Sequence, residues 1–364
     1  MWLGSMLLIG ACAPRSGGVV DRPGPQPLHA IAWEGSASII EPPMKRLAAV
    51  IGDVADDPAA AAATLRQRIA EAQQQLGDDH ATTRHLRLML ALVCEENGQF
   101  DEARGLYQRI EADHRTALAS TSQPLADALR AHGIMEAKAG HPRAGQPLID
   151  EAMTIYDTRD RYGNRRRTTV RGAAGMCHAL DGNLQAAIED HNAAVKMLPS
   201  DPRVYRDRAV TLLIAGQWAA ARDDMVKAFR FRQDPINDAM AMIWLACAAA
   251  GDVGTADRVL QQLFDQQPTN APRDIHERIG RYLRHELTED DLRAAAATPY
   301  AWRHRYNQCL VAYFIAHRRR ADGDEAGYRE ALGRCLDTQV QACWALHAAK
   351  REVMMGASPV DSAR

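Results

Sequence analysis

A 34-residue echo constrains this chain more than any other feature in it. The stretches ALDGNLQAAIEDHNAAVKMLPSDP (179–202) and LIAGQWAAARDDMVKAFRFRQDP (213–235) superpose so that Gly182 meets Gly216 and Leu184 meets Trp218. In the same register Ala187 meets Ala221 and Ala194 meets Ala228. After one extra residue the frame continues to Gly251, Val253, Ala256 and Leu263. Upstream it finds Gly140, Pro142, Gly145 and Ala152, then Gly98, Phe100, Ala103 and Ile110 at a spacing of 42. A repeat of this length is one supersecondary unit that cannot bury its apolar face alone, so successive copies must stack.

Each unit reads as two helices joined by a tight turn. The glycine closes the first helix in the left-handed conformation, and the second helix starts two residues later. Pro142 sits at such a start, where its missing N–H costs nothing. Small residues let paired helices approach closely: Gly133, Gly175 and Ala209 in first helices, and Ala103, Ala187, Ala221 and Ala256 in second helices. Tyr107, Met225 and Leu260 fill the space between units. Aromatics make up only 5% of the chain, which suits close-packed helices better than a β-sandwich.

These residues resemble the tetratricopeptide repeat (TPR) family over roughly residues 47–355, and the resemblance implies an all-α, right-handed TPR-type helical-hairpin solenoid. The longer units, with Leu76-Gly77-Asp78-Asp79-His80 as a helix-joining loop, look like the kinesin-light-chain variant. Three departures stand out. Trp244 occupies a position where a small residue is expected, so its unit must pack differently. Residues 157–167 read as an irregular inserted loop. The last hairpin turns through 321–332 with compressed spacing.

A second resemblance covers 278–352. A leucine followed by Thr288-Glu289-Asp290-Asp291, then Asn307-Gln308-Cys309 with Ala312-Tyr313-Phe314, and a final helix rich in small residues are similar to the C-terminal portion of NlpI-type TPR lipoproteins. It implies murein hydrolases and a tail-specific protease as partners. The acidic run also makes local sense, because a Thr cap followed by carboxylates suits the positive end of a helix. The division expected is a solenoid over 47–285, a TPR-like hairpin and capping helix over 286–355, and a disordered tail over 356–364.

The first residues give the address. Ile9-Gly10-Ala11-Cys12 resembles a lipobox, with residues 1–11 as signal peptide and Cys12 as the lipidated mature N-terminus. The Pro- and Gly-rich segment 12–46 then reads as a flexible tether. Met1–Met6 lack the basic residues usual in a signal, and a start codon further upstream would supply them. The alternative is a cytosolic adaptor or regulator with an apolar N-terminus. No run of about 18 apolar residues exists to span a membrane. With 44 basic and 46 acidic residues the net charge is −2, which gives no electrostatic case for a nucleic-acid partner.

No phosphate loop, nucleophile elbow or metal-ligand spacing is present, so the chain reads as non-enzymatic, without cofactor or metal. His178, Asp181, Asp190 and His191 share one repeat but read as structural, with His191 between repeats. Cys94, Cys177 and Cys247 fall in separate units, too far apart to bridge. Cys309 and Cys335 stand level across the last turn, as a disulfide or as two buried thiols, with Cys343 able to compete.

First helices line the concave face of such a solenoid. The frame turns Leu88, Leu92, Arg130, Ile134, Met176, Arg203, Arg206, Val210 and Leu213 inward, an apolar floor with arginines at its edge. Such a groove suits an extended or helical peptide whose carboxylates pair with the arginines. It lacks the Lys and Asn pattern of TPR proteins that clamp chaperone termini. The basic stretch 158–171 is a second candidate surface, for an acidic protein, anionic lipid heads or a nucleic acid, the last disfavoured if the protein is exported. The expected function is a lipid-anchored periplasmic scaffold at the outer membrane, binding proteins or peptides and able to form a homodimer. A pilotin-like secretion-assembly lipoprotein is a close variant.

Overall fold

The computed structural model describes residues 57–117, 122–158, 163–231, 237–265 and 274–356. The lipobox, the tether and the tail after residue 356 lie outside these residues. Among the described residues there are sixteen helices and no strands. Helix α1 is Pro58–Leu76, opened by Asp57, whose carboxylate accepts from the Ala59 N–H at 2.9 Å. Five hairpins follow: α2 (Ala81–Asn97) with α3 (Phe100–Ala117), α4 (Gln123–Lys138) with α5 (Pro142–Asp157), and α6 (Gly163–Leu180) with α7 (Leu184–Met197). The last two pair α8 (Pro202–Ile214) with α9 (Trp218–Phe231), and α10 (Asn237–Ala249) with α11 (Val253–Asp265).

The repeat frame is visible in the turns. Gly98, Gly140, Gly182, Gly216 and Gly251 all have φ between 70° and 92°. Each turn closes with the same bond, from the residue after the glycine to the carbonyl five residues back: Gln99 to Cys94 at 2.8 Å, His141 to Glu136 at 2.8 Å, Asn183 to His178 at 2.9 Å. This is the Schellman closure that a left-handed glycine permits. A sixth copy, Asp324 to Arg319 at 2.8 Å after Gly323, closes the late hairpin. Small residues act as expected. A methyl on Gly133 would meet the Gly145 carbonyl at 2.8 Å, and one on Gly145 would meet the Gly133 carbonyl at 2.3 Å. Ala103, Ala187, Ala209, Ala221 and Ala256 are fully buried.

Beyond the array come α12 (Ile275–Leu283), α13 (Glu289–Ala295), α14 (Ala301–Ala321), α15 (Glu325–Asp337) and α16 (Trp344–Met354). Thr288 caps α13 as expected, in a reciprocal box with Asp291. The sequence reading placed the final helix at the end of the array as a cap, but the chain folds back instead. Helix α14, 21 residues and so about 31 Å long, crosses the solenoid from one region to another. At its start Arg303 pairs with Glu96 of α2 at 2.7 Å, and Trp302 meets Phe100 edge-on. At its far end Arg318 bonds Asp257 of α11 at 2.8 Å and the Leu283 carbonyl at 3.2 Å. Helix α16 packs against α8 and the α14–α15 hairpin.

Two of the expected departures are visible in the fold. Trp244 is accommodated because α10 is enclosed on every side; the indole N–H donates to Asp257 at 2.8 Å and the Arg318 guanidinium stacks over the ring. The inserted loop is shorter than expected. Helix α5 runs to Asp157 and α6 starts at Gly163, so the arginines from Arg165 to Arg171 are helical, and Arg159 and Arg161 lie outside the described residues.

Candidate functional site

The concave face does not stay an open groove. Helix α4 contributes Arg130 and Ile134, α6 contributes Gly172 and Met176, and α8 contributes Arg203, Arg206 and Val210. Tyr306 of α14, Ala342 just before α16, Trp344 of α16, Met242 of α10 and His276 of α12 line the same space. Together they line a half-open cavity of about 520 Å³, within the range usual for ligand sites. Of the expected groove residues, the fold brings Arg130, Ile134, Met176, Arg203, Arg206 and Val210 to this one cavity.

Three of the expected positions lie outside it. Leu213 is 1% exposed and belongs to the core shared by α8, α10 and the returning helices. Leu88 and Leu92 are half-buried on α2, outside the cavity, and α14 meets the far end of that helix at Glu96 and Asn97. Tyr306, Ala342 and Trp344 were missed. Their signal lay in α10, where every residue from Ala239 to Cys247 is buried. A helix apolar all round needs cover on its concave side too.

The electrostatics of the walls are uneven. Arg203 grips its own cap residue, Asp201, through Nε at 3.0 Å, and that pair also opens α8. Arg206 bonds Asp207 at 3.3 Å. Arg130 is different: it is 8% exposed and has no hydrogen-bond or ion-pair partner among the described residues. The nearest carboxylate in sequence, Asp127, is taken by the Tyr156 hydroxyl at 2.6 Å and by Arg166 at 3.2 Å. The phenols beside Arg130 give no counter-charge. Burial, with Glu95 beside Tyr107 and Asp127 beside Tyr156, pushes both well above the usual phenol range.

The other candidates resolve into structural pairs. Asp181 pairs with Arg143 at 2.8 Å and Asp190 with Arg171 at 2.9 Å. His191 packs on Gly175 of its own hairpin and also neighbours Asp207 and Arg208 of the next, and burial lowers its pKa. Among the described residues the helical arginines are partly neutralised, Arg166 by Asp127 and Arg167 by Asp157. Asp78, Asp79 and Asp113 present oxygens within 4.8 Å of one another. Arg87 and Arg109 already bond Asp78 and Asp113, which makes an ion-pair cluster of them.

Of the two readings of Cys309 and Cys335, the structure holds the thiols: both are free and buried, with sulfurs 3.4 Å apart. Cys343 is buried beside them, while Cys94, Cys177 and Cys247 are buried in separate helices. A further buried cluster fastens α16. Glu352 accepts from Tyr328 at 2.5 Å and from Tyr313, and His317 lies 3.3 Å away. Burial works to raise its carboxyl, but His317, Tyr313 and Tyr328 outweigh it and hold the pKa down at about 2.

No helix among the described residues is long and apolar enough to cross a membrane. No family model and no curated protein matches the chain. Among solved structures it is similar to the Rap conjugation gene regulator of plasmid pLS20, determined with the Phr* peptide. That match is 14% identical, covers 82% of this chain and 85% of that one, and has a TM-score of 0.50. The type IV pilus biogenesis factor PilW matches 57% of this chain and 86% of its own at 17% identity and a TM-score of 0.44. A kinesin light chain with TPR-like repeats from Podosopora anserina matches 48% of this chain and 86% of its own, with 17% identity and a TM-score of 0.40. The first of these likenesses agrees with the repeated hairpins and glycine turns in showing the fold alone, a TPR-type helical solenoid.

Proposed function

We propose that this TPR-type solenoid is a scaffold that works by binding, seating a short segment of a partner protein or peptide in the cavity between its concave face and its own C-terminal helices. The observation that carries this reading is the cavity itself, lined by first helices and by Tyr306 and Trp344. Its walls combine an apolar floor with charged groups at fixed positions, which is the composition of a recognition site. A photo-crosslinking residue at Val210 is expected to capture the bound segment, and one at exposed Ala220 of α9 is not. Equal capture from both positions would overturn the assignment.

The scaffold is held in the periplasm by a lipid on Cys12, at the outer membrane. Ile9-Gly10-Ala11-Cys12 supports this anchor, and the Pro- and Gly-rich residues that follow suit a tether. Envelope hydrolases and proteases are the partners this location offers. Labelled palmitate should enter the wild-type protein and not Cys12→Ala. The uncharged Met1–Met6 segment favours a second reading, an unanchored cytosolic adaptor, and an unlabelled soluble pool for both proteins would establish it.

A further inference from the structure

The cavity holds one charge that the fold leaves unanswered. Three arginines and two aspartates line it. Asp201 is held by Arg203 and Asp207 bonds Arg206, whereas Arg130 reaches no partner among the described residues. Arg130 is more than nine-tenths buried as a residue and makes no ion pair among the described residues, so its guanidinium gives up part of its water without gaining a counter-ion from the fold, which is costly. Its planar fork of donors is shaped to grip a carboxylate with two parallel bonds. Around it the wall is apolar: Ile134 lies one turn along the same helix, Met176 and Val210 come from the next two, and Trp344 comes from α16.

We infer that the cavity binds a small organic anion, a carboxylate joined to an apolar body, with Arg130 taking the carboxylate and the Ile134–Met176–Trp344 surface taking the apolar part. The inference rests on the reading of this cavity as the binding site and specifies what enters it. Size supports the choice. At about 520 Å³ the half-open space admits a chain of a few residues or an aliphatic acid, not a folded domain. Neutralising Arg130 also explains why a charge is kept there when a leucine or methionine would fill the same wall without its desolvation cost.

Two sources share this chemistry, a free aliphatic acid and the C-terminus of a short peptide. Calorimetric titration of the full chain with decanoate and with N-acetyl-trileucine separates them, each against its neutral counterpart, 1-decanol or the peptide amide. At least one acid is expected to bind about tenfold to a hundredfold more tightly than its neutral form, the span of a charged hydrogen-bonded contact. Arg130→Gln should erase that difference, and Arg130→Lys should restore part of it. Because Arg130 makes no protein ion pair, Arg130→Gln should melt no lower than wild type. A marked drop in melting temperature would show that Arg130 braces the fold, and would overturn the assignment. Acid and neutral forms binding alike, unaffected by Arg130→Gln, would also overturn it while leaving the cavity as a binding site. If none of the four probes binds at millimolar concentration, the anion site and the cavity reading fall together.

Discussion

The five hairpins and the returning helices are built by opposite rules. In the hairpins the recurring contacts are to a neighbour. The same glycine turn, the same bond to the carbonyl five residues back and the same small buried residue recur from α2 to α11. In the return, contacts are made across most of the chain, as Arg303 to Glu96 spans 207 residues. An array alone gains stability as a sum of units and interfaces, and it can come apart unit by unit. Here one continuous core includes Ala209 and Leu212 of α8, Trp244 of α10, Phe314 of α14 and Leu346 of α16. The difference teaches that the second half of the array and the return are one folding unit, although only the array is periodic.

The largest effect should come where the two regions meet. Trp244→Ala removes a fully buried indole, its bond to Asp257 and the surface beneath Arg318. A loss of about 3–5 kcal/mol is expected, read as a lower urea midpoint in a single transition. Two separated transitions would break the comparison, because the array would then be standing without its cover.

A smaller effect isolates the return. Glu352 has an unfolded-state value near 4.5 and a folded value of about 2. A depressed carboxyl contributes stability that is fully present above pH 4.5 and is lost as pH falls through the folded value. Acidification from pH 4.5 toward 2 should therefore loosen α16, read as a change in Trp344 fluorescence. Glu352→Gln should cost about 1–3 kcal/mol at neutral pH and flatten that acid dependence. An unchanged pH profile in the variant would assign the titration to another group.

The smallest effect belongs to the crossing helix's first contact. Arg303 is 43% exposed on its side chain, so its pair with Glu96 is wetted. Arg303→Ala should cost no more than about 1 kcal/mol, measured by thermal melting. A much larger loss would mean that the start of α14, rather than its buried run from Cys309 to Phe314, carries the closure.

These two rules also explain what could be read from residues alone. Turn glycines and the small residues facing them follow a local period, so Gly133, Ala187 and Ala221 were legible as contact points. Arg130 was legible as inward-facing for the same reason. That it stands unpaired was not, since this depends on Asp127 being held by Tyr156 and Arg166. That Leu88 and Leu213 lie outside the cavity was not legible either, since the frame knows nothing of a helix arriving from residue 301. The arginines near Arg166 looked like an insertion because polar residues open α6, and their aspartate partners lie on other helices.

A coil of stacked hairpins is a spring, and its pitch is set by many weak angles that can each give a little. Helix α14 is a rod fastened at both ends of a span, to Glu96 and to Asp257. A spring with a tie-rod across it cannot lengthen or wind without breaking a fastening. The gap in which Arg130 sits is therefore held to one width, and whatever fills it is selected by gauge as well as by charge.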